Sequence, residues 1–129
     1  MKHWMKIIAV MLLCASMMTL FAACDRTHVG KEVKDICKQS LVYVDDYLRG
    51  DADIMVTYTS LVAVLTYWDG LKIETTKYTV TKDFQAKMMF KNIIESVANQ
   101  ASGKDARADI LRQRNALAEI AGLKELKVK

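Results

Sequence analysis

The chain contains no proline and only five glycines. Each glycine stands at the edge of a stretch whose apolar residues recur every three or four positions. Proline breaks helices and glycine ends them, so this arrangement restricts the chain to helices with glycine boundaries. Residues 31–49 place Val33, Ile36, Cys37, Leu41, Val44, Tyr47 and Leu48 on one helical face, and Gly50 supplies a stop. Asp51 or Asp53 can cap the next helix. Residues 54–68 carry no charge, and 11 of these 15 are apolar or aromatic. A helix apolar nearly all round belongs at the centre of a fold, so this segment is expected to be buried centrally. Its length is too short to cross a bilayer comfortably. The Thr57, Thr59, Ser60 and Thr66 hydroxyls can bond back to the helix or face a partner.

Gly70 closes that stretch. In 71–81, Leu71, Ile73 and Thr75, then Tyr78 and Val80, alternate with polar groups, which predicts an extended connector or a short hairpin laid on the helices. Thr81 then reads as an N-cap with Asp83 in the first turn. Phe84, Met88, Ile93, Ile94, Val97 and Ala101 form a third face, broken at Ser102 and Gly103. Ala106, Ile110, Leu111, Leu117, Ile120 and Ala121 form a fourth, with Asp109 and Arg112 paired one turn apart and Gly122 as its stop. The expected fold is mainly α, a small bundle of about four helices. A chain of ~100 residues buries roughly two-thirds of its unfolded surface, enough for one independent domain. That domain is 31–129, preceded by a polar tether at 24–30.

Residues 1–23 read as an address. Lys2 and Lys6 make a basic start, and the 16 residues from 7 to 22 carry no charge. The run ends in Leu20, Phe21, Ala22 and Ala23, immediately before Cys24. This pattern resembles the lipobox of bacterial lipoproteins, although Phe21 stands where that family usually has Leu. The resemblance covers residues 1–24 only. It implies cleavage after Ala23, a diacylglyceryl group on the Cys24 thiol, and a protein held at the extracytoplasmic face of the membrane in a bacterial envelope. A plain signal peptide cut near Ala23 and an uncleaved anchor are the other readings of the same segment. Cys14 follows bulky Leu12 and Leu13 and is a poor rival to Cys24. Asp25 resembles the residue that keeps lipoproteins in the inner membrane of enteric bacteria. The mature remainder looks like many small bacterial lipoproteins, which implies nothing about activity.

Charge and chemistry narrow the function. The formal net charge is +4, and the leader removes two lysines from that balance. With export, this makes nucleic acid a poor partner. The chain is too short for a TIM barrel. Lipidation of Cys24 leaves Cys37 without an intramolecular mate, which rules out a disulfide scaffold. On its apolar stripe, Cys37 reads as a small buried hydrophobe. His28 lies on the tether, where general-base geometry is not held. His28 and Cys37 do not make a zinc site, and no glycine-rich phosphate loop occurs. Asp45, Asp46, Asp51 and Asp53 lack calcium-loop spacing and read as solvated residues plus a cap. Arg49, Gly50 and Asp51 match an adhesion tripeptide by letters, but the helix stop explains them better. No cofactor and no catalytic residue are expected.

Tyr43, Tyr47, Tyr58, Tyr67 and Trp68 are the candidates for a partner surface, since aromatics are enriched at binding hot spots. The competing reading places them at a helix–helix seam. Lys124, Lys127 and Lys129 read as a solvated tail, or one that touches anionic headgroups. The expectation is a lipid-anchored interaction module (adaptor, subunit or inhibitor) rather than an enzyme. The alternative is a lipoprotein that binds a small apolar ligand or a lipid.

Overall fold

The structure, a computed structural model, describes residues 28–71 and 81–127. The leader, Ala23 and Cys24, and most of the connector expected at 71–81, lie outside the described residues. Four helices occur in the order α1 (Lys31–Leu48), α2 (Ile54–Gly70), α3 (Lys82–Ala101) and α4 (Arg107–Ala121). Among the described residues there is no strand, and the fold is a small helical bundle.

The punctuation acts locally. Asp53 caps α2 by accepting the Met55 amide. Thr81 caps α3, its hydroxyl oxygen accepting the Phe84 amide at 3.2 Å, with Asp83 in the first turn. Gly50 and Gly122 lie just past α1 and α4 at φ +84° and +70°, a left-handed conformation that costs a side-chain-bearing residue about 1–2 kcal/mol. Leu71 and Ser102 close α2 and α3 through local backbone bonds, and two further ends take side chains from elsewhere in the chain. α4 begins at Ala106 without a side-chain cap of its own; instead the Gln100 side chain of α3 accepts the Ala106 amide at 2.8 Å. The Leu48 carbonyl at the end of α1 accepts from the Arg107 guanidinium, which also lies 5.9 Å from the centre of the Tyr47 ring.

These contacts set antiparallel register. Ser96 donates to Gln113 between α3 and α4, and Lys87 pairs with Asp69 between α3 and α2. Arg107 and Arg114 of α4 reach Leu48 and Asp45 of α1. α2 packs on α1 and α3, and α4 packs on α3 and α1. The core joins Val33, Ile36, Cys37, Leu41, Val44 and Leu48 to Leu61, Phe90, Ile93, Val97, Ile110 and Leu117. Cys37 is free and buried. Burial, with the Asp83 charge as a lesser cause, pushes its thiol up to about 12.

Three expectations are corrected. The uncharged 54–68 segment is not central: α2 touches α1 and α3 but not α4. Only Thr57, Leu61 and Trp68 of α2 are buried. One side of a helix fits between two neighbours, and the remaining apolar groups are left outside. Asp45 is not a solvated residue; it forms an ion pair with Arg114, whose side chain is almost wholly buried. The Lys124 and Lys127 side chains are exposed as expected, but the tail backbone is not loose as far as Leu126. The Lys124 carbonyl accepts from Arg114, and the Asn115 side chain both accepts from the Leu126 amide and donates to the Leu126 carbonyl. Leu123 and Leu126 pack against the core.

Candidate functional site

The residues that α2 leaves outside define the most distinctive surface of the molecule. Val56 is 58% exposed and Tyr67 is 62% exposed, with Met55 and Val62 also open to solvent. The polar positions among them are quiet. Thr59 and Thr66 each donate their hydroxyl proton to the carbonyl one turn back, as buried Thr57 does, which satisfies the hydroxyl without a partner. In 17 residues α2 has one charged side chain, Asp69 at its C-terminal end. Asp69 is held below the usual carboxylate range, first by the hydrogen bond from Lys87.

Beside this face runs a groove of about 650 Å³ between α1 and α2. α1 supplies Glu32, Asp35, Ile36, Gln39 and Tyr43. α2 supplies Thr59, Ser60, Ala63, Val64 and Tyr67, and Leu71 closes the end. The lining mixes apolar and aromatic side chains with hydroxyl and amide groups, and its two carboxylates, Glu32 and Asp35, come from α1. That volume is in the range of small-molecule sites, and its mixture of aromatic and hydroxyl groups also suits a peptide side chain. The groove lies on the surface between two helices, outside the close-packed core.

The aromatic candidates separate by position. Tyr43 and Tyr67 come together on the groove. Trp68 points the other way, only 2% exposed, with its ring 5.5 Å from that of Phe90. Tyr47 and Tyr58 are half-buried against the core. The signal that separates them is helical phase. Trp68 continues the buried Thr57 and Leu61 stripe, and Tyr67 lies about 100° away from it. Equating apolar with buried hides the exposed Met55, Val56 and Val62.

Among the described residues, no group of three or more His, Cys, Asp or Glu is arranged to hold a metal ion. No helix among them is long and apolar enough to cross a membrane. No family of known proteins matches this chain, and no curated protein or solved structure matches it either.

Proposed function

We propose that this protein is a lipid-anchored interaction module of the bacterial envelope. It is tethered through Cys24 at the extracytoplasmic face and docks a protein partner on the α1/α2 face. The observation that carries this reading is the uncharged, solvent-facing side of α2 next to the Tyr43 and Tyr67 groove. Monomeric proteins rarely leave a contiguous apolar patch open without a use for it. Covering such a patch returns about 25 cal/mol for each Å² removed from water. Tyr67 is the natural centre of the contact, since hot spots favour tyrosine beside a pocket.

The test is site-specific photocrosslinking in the native cells. A photoreactive residue replaces Tyr67 in one strain and exposed Ala108, at the far end of the bundle, in another. One dominant protein captured from position 67 and not from 108 supports the module. Capture of lipid or a small molecule from position 67 would move the assignment to the apolar-ligand reading, and identical capture from both positions would refute docking on this face. Intact mass of the purified protein tests the anchor separately. A diacylglyceryl-modified N-terminal Cys24 is expected, and any other N-terminus overturns that part.

A further inference from the structure

We propose that the first two turns of α3 form a membrane-contact patch, which lays the tethered end of the bundle against an anionic lipid surface. The proposal rests on the anchoring reading above for its geometry, but on different residues. Phe84 and Met88 stand one turn apart on α3, 41% and 45% exposed. Lys87 and Lys91 line a hollow with them, and Lys82 lies in the same first turn. Lys87 is engaged, pairing with Asp69 over the Trp68 ring. The Asp83 carboxylate accepts the Gly30 amide at 2.8 Å, which ties the entering chain to this same turn. Cys24 is six residues before Gly30. At no more than ~3.6 Å per residue, an acylated Cys24 keeps the start of α3 within about 20 Å of the bilayer surface.

Phe and Met suit the acyl boundary, and lysines beside them extend their charge to the headgroups. The contact need not be strong. A tether of only a few residues presents the patch to the lipid at a high effective concentration, so weak binding suffices to orient the bundle. Charge separates this surface from the α2 face: Lys87 and Lys91 line the hollow with Phe84 and Met88, beside the Asp83 carboxylate that holds Gly30, whereas α2 carries no cation.

The experiment uses the full protein, isolated from membranes and reconstituted into vesicles with brominated acyl chains. The vesicles are phosphatidylcholine alone, or equal parts phosphatidylcholine and phosphatidylglycerol. Tryptophan is placed at Phe84→Trp or at Ala108→Trp, and the parent protein corrects for Trp68, the tryptophan that remains after cleavage before Cys24. The expected result is bromine quenching at position 84 well above that at 108, and stronger in the anionic vesicles. Lys82→Gln and Lys91→Gln, each removing one positive charge, should each weaken the contact about fivefold. Equal quenching at 84 and 108 overturns the patch, and quenching at 84 indifferent to phosphatidylglycerol overturns its electrostatic basis. A protein lipidated by mass but unquenched at 84 fails this proposal alone. A protein without acyl groups that is still quenched at 84 in anionic vesicles fails the anchoring reading alone.

Discussion

Arg114 and Asp45 are 69 positions apart in the chain and meet in a two-pronged ion pair, Nε to Oδ1 at 2.7 Å and Nη2 to Oδ2 at 2.9 Å. The third arm of the guanidinium donates to the Lys124 carbonyl at 2.7 Å. One side chain of α4 thereby fastens both the first helix and the tail. Removing one partner of a buried pair leaves an uncompensated charge, which costs about 3–5 kcal/mol. Arg114→Met should therefore lose much of the roughly 5–15 kcal/mol that holds a domain together. The double variant Asp45→Leu with Arg114→Met should be milder than the sum of the single changes. Urea unfolding of all three variants measures this, and simple additivity would contradict it.

Asn115 makes the second fastening, a reciprocal pair with the Leu126 backbone at 2.8 and 3.1 Å. Asn115→Ala should cost about 1–3 kcal/mol for the two lost bonds. It should also release the tail selectively. Hydrogen exchange at the Leu126 amide should accelerate by far more than at the Phe90 or Val97 amides of α3. A uniform acceleration would mean that the tail has no separate attachment.

Cys37 gives a pH signature. Below about pH 9, the ordinary value for its thiol, the group is protonated in both folded and unfolded chains. Between there and about 12 the unfolded chain ionises while the buried thiol does not. The folded state then binds more protons, so stability falls as pH rises through this window, with a slope approaching about 1.4 kcal/mol per pH unit. Cys37→Ala should flatten that part of the curve when the two unfolding profiles are subtracted, which cancels the shared Lys and Tyr titrations. The native protein should also leave Cys37 unmodified by a thiol reagent at neutral pH until denaturant is added.

The two sides of α2 should respond oppositely to mutation. Leu61 is fully buried, and Leu61→Ala should cost about 2–5 kcal/mol. Val56→Ser and Tyr67→Ser remove exposed groups and should stay within about 0.5 kcal/mol of the parent. Their effect should appear in partner capture. Thermal unfolding and crosslinking yield, measured on the same three variants, test the contrast.

What the sequence discloses and what it hides divides by range. The Thr81 cap, the Gly50 and Gly122 stops, the Asp109 and Arg112 pair and the buried Cys37 depend on neighbours within a turn or on one periodic stripe, and all are legible. The Asp45 and Arg114 pair is not, because nothing in the spacing of a carboxylate and a guanidinium 69 residues apart says that two helices bring them together. The docked tail escapes for the same reason: Lys124 and Lys127 read as solvated from their charge, while the backbone beside them is bound. The position of α2 is hidden because composition reports how apolar a helix is, but not how many neighbours it has. Of the five aromatic candidates, two share the groove and three pack into the bundle. On α2 that division needs helical phase rather than residue type, whereas Tyr43 and Tyr47 share one face of α1 and differ in their position along it.

The Arg114 junction also orders events in time. A chain that appears from its N-terminus presents α1 well before α4 and the 123–127 segment, so Asp45 must wait 69 residues before its counter-charge arrives. α3 and α4, by contrast, can close on each other as soon as α4 appears, because Gln100 already carries the acceptor that starts α4. The clasp of Arg114 on α1 therefore forms only once α4 and the tail are through. Under the tether proposed at Cys24, the interval before that clasp forms would be the moment of greatest exposure to neighbours on the membrane. Trimming the last few residues should lengthen it.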